Sequence, residues 1–150
     1  MREREELLKM KEVYVVYWSS TGNTRAMAEE VAVGVREAGG SAHVAEVSSM
    51  DAAALKDAES FALGASAMGA EELDEEMDSF VSEVEQFAAG KSVGLFGSYD
   101  WGDGEWMREW VKRMEAAGAS VAGGKGVTAQ LEPDEEARAA CRALGGGLVM

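Results

Sequence analysis

Short apolar runs alternate along the chain with longer amphipathic stretches, and this order restricts the possible folds more than any other feature. It favours parallel βαβ units over an antiparallel sheet or a helical bundle. The first run, EVYVVYW at residues 12–18, is continuous in valine and aromatic residues, as expected of a strand covered on both faces. The sequence therefore predicts an α/β fold built on a parallel sheet.

Five strands and four helices follow from this pattern. The strands are predicted at residues 12–18, 42–47, 61–65, 92–97 and 121–129. The helices have apolar residues at helical spacing and are predicted at residues 23–38, 72–88, 105–117 and 133–144. No repeat or linker interrupts the pattern, so we expect residues 10–150 to form a single domain and residues 1–9 to be a frayed extension.

Composition excludes several classes of function. The chain has 150 residues and a formal net charge of -14, which repels nucleic acid and anionic membranes and favours basic partners. The beginning, MREREELLKM, lacks the apolar core of a signal peptide, and no apolar run approaches the ~20 residues needed to span a bilayer. The single cysteine, Cys141, cannot form an internal disulfide, which favours a reducing compartment. We expect Cys141 to pack as a small apolar residue on the last helix. We therefore expect a cytoplasmic protein.

A segment rich in hydroxyl groups joins the first strand to the first helix. It reads Ser19-Ser20-Thr21-Gly22-Asn23-Thr24 and contains no lysine or arginine. Backbone N–H groups at a helix N-terminus, together with the helix dipole, favour an anion. Neither a Walker sequence nor GxGxxG is present, which weakens the nucleoside triphosphate and NAD alternatives. A phosphate monoester held by neutral donors fits better, although an ordinary serine- and threonine-rich helix cap remains the alternative.

The loops after the third and fourth strands each carry a large apolar side chain. They read Ser66-Ala67-Met68-Gly69-Ala70-Glu71 and Ser98-Tyr99-Asp100-Trp101-Gly102-Asp103-Gly104. Open α/β sheets bind ligands beyond the carboxyl ends of their strands, so Trp101 and Met68 could stack on the two faces of a planar heterocycle. The alternatives are a tryptophan folded back onto the core and a methionine that fills a packing gap.

Four motifs within residues 10–144 occur in the order and spacing of a known family. They are YWSSTGNT, GASAMGAEELDEE, LFGSYDWGDGEWM and QLEPDE. In these motifs the chain resembles the short-chain flavodoxins of anaerobic bacteria. The resemblance implies a doubly wound, five-stranded parallel sheet of order 2-1-3-4-5 with helices on both faces. It also implies FMN at the switch point between the first and third strands.

The resemblance also assigns roles to individual residues. The 19–24 segment would hold the phosphate, Met68 and Trp101 would enclose the isoalloxazine ring, and Glu71 would accept a hydrogen bond from the flavin N3–H. Backbone groups of Ser98, Gly102 and Gly69 would contact the ring edge, and Gln130 would line the pocket. The predicted site comprises Ser19, Ser20, Thr21, Gly22, Asn23, Thr24, Ser66, Ala67, Met68, Gly69, Ala70, Glu71, Ser98, Tyr99, Asp100, Trp101, Gly102 and Gln130. Ala70 departs from the acidic residue expected there, and Ser20 and Asp100 stand where glycine is common.

The function implied is that of a low-potential electron carrier, not an enzyme, whose FMN cycles mainly between semiquinone and hydroquinone. Acidic residues near the flavin would lower its potential and attract basic redox proteins. The protein itself is expected to be a monomer. One alternative is an FMN-dependent quinone or NAD(P)H reductase of the same fold, which needs a substrate site. Another is a flavin-free receiver-like module, which needs an acidic pocket where Ser66 and the 19–24 segment stand. His43, on the second strand, is predicted to be structural.

Overall fold

A computed structural model describes residues 11–68 and 72–149. The strands in this part of the chain are β1 (Glu12–Trp18), β2 (Ser41–Glu46), β3 (Ser60–Ala65), β4 (Ser92–Tyr99), β5 (Ser120–Val121) and β6 (Val127–Gln130). The α-helices are α1 (Asn23–Glu37), α2 (Glu75–Val84), α3 (Glu105–Ala116) and α4 (Glu135–Val149). The predicted N-terminal extension and the predicted site residues Gly69, Ala70 and Glu71 lie outside the described residues.

The strands form one parallel sheet of order β2-β1-β3-β4-β5, with β6 also paired to β4. This confirms the predicted doubly wound order. The prediction of one continuous strand at residues 121–129 was wrong, because β5 pairs with the start of β4 and β6 with its end. Between them Gly123 and Gly124 have positive φ angles of 76° and 75°, which turn the chain out of the extended conformation.

Each face of the sheet is covered by two helices. Along β1, Val13, Val15 and Tyr17 pack with α1 and α4, whereas Val16 belongs to the core under α2 and α3. Since every one of these side chains is buried, the continuous apolar sequence of β1 reflects burial on both sides. Cys141 is fully buried on α4, and this burial raises the pKa of its thiol to about 12.

The second and fourth helices differ from the prediction at both ends, since they span Glu75–Val84 and Glu135–Val149 instead of residues 72–88 and 133–144. The helix α2 begins at Glu75 instead of residue 72, because Met68 and Glu72 exchange backbone hydrogen bonds of 2.9 and 3.0 Å. Asp74 then caps the helix by accepting from the N–H groups of Glu76 and Met77. The helix α4 continues to Val149, five residues beyond the predicted end at residue 144. The β2–β3 connection contains two 3-10 turns, Val47–Ser49 and Ala52–Leu55.

Glycines explain why α4 continues through the sequence GGG. A β-carbon at Gly145 would overlap the carbonyl oxygen of Val31 on α1, and one at Gly34 would overlap that of Arg142. The two helix backbones therefore touch, and Gly145 is buried between them. Burial of this face stabilises a segment whose glycines lower its intrinsic helix propensity.

This contact predicts opposite effects for two neighbouring substitutions. We expect Gly145→Ala to lower the free energy of unfolding by about 1 to 3 kcal/mol, because the added methyl group separates α1 from α4. We expect Gly147→Ala to raise it by up to about 1 kcal/mol, since its β-carbon meets nothing within 4 Å and alanine favours a helix. Urea unfolding of both variants measures these shifts. Shifts of the same sign would contradict the proposed helix contact.

Candidate functional site

Three loops meet beyond the carboxyl ends of β1, β3 and β4 and enclose a cleft of about 290 Å³. The cleft lies near the lower end of the usual range for ligand pockets, ~300–1,000 Å³. Its lining residues are Ser20, Thr21, Asn23, Ser66, Ala67, Met68, Ser98, Tyr99, Asp100, Trp101 and Leu131. All of these except Leu131 belong to the predicted site, so the fold brings the three predicted loops together.

The N-terminus of α1 forms one side of this cleft. The helix begins after Gly22, which has a φ of 96° and provides no side-chain cap. The Ser19 hydroxyl accepts the N–H groups of Gly22 (3.0 Å) and Arg25 (3.3 Å) and so closes the loop. The first turn of α1 contains no acidic residue, whereas the first turns of α2, α3 and α4 each contain at least one. Among the four described helices, α1 is thus the one best suited to an external anion.

Beneath the loop, three hydroxyl groups form a buried cluster. The Thr24 Oγ1 lies 2.7 Å from the Ser66 Oγ and 3.3 Å from the Ser98 Oγ, and it accepts the N–H of Ser98 at 3.3 Å. All three side chains are at most 5% exposed. The cluster connects the first turn of α1 to the ends of β3 and β4. Thr24 therefore positions the loop from below and does not line the cleft.

Two large apolar side chains border the cleft and remain accessible to solvent. Trp101 is 61% exposed and Met68 is 40% exposed. Neither side chain is folded into the core, so the two structural alternatives considered for them do not describe this molecule. A planar heterocycle in the cleft would cover their exposed surface, through stacking on the indole and soft contacts with the thioether. The residues present fit a ring that carries a phosphate.

The loop that carries Trp101 is held by contacts on both sides. Arg108 donates to the carbonyl oxygen of Asp103 (2.9 Å) and to its carboxylate (3.0 Å). Gln130, which was predicted to line the pocket, instead donates from Nε2 to the carbonyl oxygen of Asp100 at 3.2 Å. Gly102 has a φ of 95° and allows the loop to turn. Gln130 and Gly102 thus shape the loop, and neither is among the residues that line the cleft.

Leu131 is a lining residue that the sequence reasoning missed. Its φ is 58°, and it is the one non-glycine residue with positive φ in the described part of the chain. Nothing in the residue type signals this conformation, because leucine rarely adopts it. Its position directly after the predicted Gln130 is the nearest sequence clue.

A larger groove of about 830 Å³ lies between β6 and α4. Its rim carries Glu132, Asp134 and Glu136, which repel an anionic ligand. The nearby N-terminus of α4 is already capped, since Asp134 accepts the N–H of Ala137 at 2.8 Å. This groove is therefore a poorer phosphate site than the smaller cleft.

Two other features are absent from residues 11–68 and 72–149. No helix there is long and apolar enough to cross a bilayer. No group of histidine, cysteine and acidic side chains there is suited to hold a metal ion.

Comparisons of the sequence with a family model and with known proteins all identify the same family. The flavodoxin family model matches residues 15–145. The chain is 44% identical over 122 residues to a flavodoxin of Clostridium beijerinckii, a match that covers 81% of this chain and 88% of that protein. It is 46% identical over 114 residues to a flavodoxin of Megasphaera elsdenii, with 74% and 82% covered.

Solved structures agree with these sequence matches. The solution structure of two-electron reduced Megasphaera elsdenii flavodoxin superposes with a TM-score of 0.81 at 38% identity and covers 91% of this chain and 98% of that one. A flavodoxin from the domain Archaea superposes with a TM-score of 0.83 at 28% identity, with 92% and 96% covered. The matched proteins are electron carriers and not enzymes, as expected from the sequence. The chain belongs to the flavodoxin family, whose members bind FMN and transfer electrons.

Proposed function

We propose that this flavodoxin carries electrons at low potential between redox proteins, with its FMN passing mainly between the one-electron and two-electron reduced forms. One observation gives the strongest support to this position of the site. The N-terminus of α1 has no acidic side chain in its first turn, and it borders the same cleft as the exposed side chains of Trp101 and Met68. We further propose that residues 10–150 act as one monomeric domain in the cytoplasm. The high net charge of -14, which opposes self-association, supports the monomer.

Neutral donors would hold the phosphate. Ser20, Thr21 and Asn23 line the cleft at the start of α1 and can donate from side chains, while the helix N-terminus adds backbone N–H groups. Ser19 and Thr24 would act indirectly, because the hydroxyl of one closes the loop and that of the other fixes it from below. The roles implied for Gly69, Ala70 and Glu71 concern residues outside the described part of the chain and stay proposals from the resemblance.

FMN supplies the redox chemistry when bound. Trp101 and Met68 would enclose its ring and exclude water from it, because both are exposed at the cleft and apolar. Ser98 and Ala67 both line the cleft, and the N–H of Ala67 donates a 2.9 Å backbone hydrogen bond to the carbonyl oxygen of Ser98. The protein would thus contact the ring with the apolar side chains of Trp101 and Met68, while a hydrogen bond between Ala67 and Ser98 fixes the backbone beside it.

Acidic residues around the cleft would set the potential. Asp100 lines it beside Trp101, and its carboxylate has no cationic partner among the described ion pairs, whereas Asp103 is paired with Arg108. A carboxylate ~10 Å from a negative charge, at an effective dielectric constant of about 40, raises the energy of that charge by about 0.8 kcal/mol. Asp100 would therefore disfavour the second electron more strongly than Asp103 does.

The same charges would select the partner. Trp101 projects from a loop that also carries Asp100 and Asp103, and the chain as a whole has 28 acidic against 14 basic side chains. A redox protein with a basic surface would be steered toward this edge, and its association would weaken as salt is added.

The phosphate assignment predicts a clear preference among flavins. We expect the apoprotein to bind FMN at least tenfold more tightly than riboflavin or FAD. Thr21→Val should weaken FMN binding by about 1.5 to 3 kcal/mol through loss of a hydrogen bond to a charged group, and should leave riboflavin binding unaffected. Titration followed by quenching of flavin fluorescence measures all these affinities. Equal affinities of the wild type for FMN and riboflavin would refute the role of the 19–24 segment.

The ring assignment predicts the complementary result for Trp101. We expect Trp101→Ala to weaken FMN and riboflavin alike, by ~1 to 3 kcal/mol, because stacking is lost. Trp101→Phe should recover much of this affinity. The thermal stability of the apoprotein should hardly change, since this side chain is 61% exposed. An unchanged affinity of Trp101→Ala for both flavins would place the ring elsewhere.

The electrostatic assignment predicts a change in potential. We expect Asp100→Asn to raise the potential of the second electron by about 35 mV, the equivalent of about 0.8 kcal/mol for one electron. Glu37→Gln is the control, because this exposed residue ends α1 at ~20 Å from the cleft. Redox titration of the FMN-loaded proteins measures both. If the two substitutions shift the potential equally, proximity of Asp100 to the ring is excluded.

A further inference from the structure

Leu131 combines a costly backbone conformation with an exposed apolar side chain. A φ of 58° is unfavourable for a leucine, whereas glycine or asparagine tolerates it. About half of Leu131 remains exposed, so burial within the protein offsets only part of the cost of this conformation. Strained residues of this kind persist where the surrounding structure enforces them, and they concentrate at ligand sites.

Hydrogen bonds on neighbouring atoms enforce the conformation. The N–H of Leu131 donates to the carbonyl oxygen of Tyr99 at 2.8 Å, and Gln130 pairs with Tyr99 in the β4–β6 ladder. The side chain of Gln130 also donates to the carbonyl oxygen of Asp100. These contacts fix the end of β6 against the loop of Trp101, so that Leu131 borders the cleft together with Trp101 and Met68.

We propose that Leu131 is a third apolar contact for the flavin ring, kept at the mouth of the cleft by its left-handed backbone. This inference rests on the proposed FMN site and adds to it a residue that acts on the ring and not on the phosphate. Burial of the exposed half of a leucine side chain contributes about a four- to tenfold increase in affinity. That gain would offset the strain only when the flavin is bound.

Three substitutions separate the backbone from the side chain. Leu131→Asn removes the apolar group and relieves the strain, since asparagine adopts positive φ readily. Leu131→Ala removes the apolar group and keeps the strained backbone. Leu131→Met keeps both the apolar side chain and the strained backbone, because methionine is apolar, of similar volume and equally disfavoured at positive φ. The measurements are urea unfolding of each apoprotein and fluorescence titration with riboflavin and with FMN.

We expect Leu131→Asn to increase the folding equilibrium constant of the apoprotein about fivefold or more, and Leu131→Met to leave it nearly unchanged. We expect Leu131→Asn and Leu131→Ala to weaken riboflavin and FMN by the same factor, about four- to tenfold, and Leu131→Met to preserve both affinities. Unchanged flavin affinity in Leu131→Asn and Leu131→Ala would overturn the contact. A wild type that binds neither flavin would instead refute the proposed function, whatever the stability of the variants.

Discussion

The hydroxyl group of Thr24 holds together three segments on which the site depends. It contacts Ser66 and Ser98, which lie 42 and 74 residues further along the chain, and it does so where solvent cannot compete. Loss of one partner would leave the others buried without a hydrogen bond, which typically costs ~1 to 3 kcal/mol. The loop beside α1 is therefore fixed from inside the protein, and its outer surface stays available to a ligand.

A strongly acidic protein can hold a phosphate because its charges are separated in space. The helices α2, α3 and α4 begin with acidic residues, which interact favourably with their own dipoles. The helix α1 lacks such residues, so its partial positive charge stays available to an external anion. The same sorting leaves the Asp100 carboxylate at the cleft, where we propose that it opposes added electrons.

Periodicity predicted the parallel α/β class and the positions of the three loops, because both depend on burial patterns that are written locally, whereas the sheet order was implied by the resemblance to flavodoxins. The split of the last strand depends on how residues 122–126 meet β4, and the length of α4 depends on a backbone contact between Gly145 and Val31. The left-handed Leu131 depends on hydrogen bonds to Tyr99. Each of these is a long-range contact, and no residue type in the segment itself specifies it.

The divided strand at the sheet margin has a consequence for self-association. A long, flat edge offers a row of N–H and C=O groups on which another chain can extend the sheet, and this is a common start of aggregation. Here β5 has two residues, β6 has four, and residues 122–126 bend away between them. An incoming strand at this edge would find only two short segments, so the interruption disfavours extension of the sheet there.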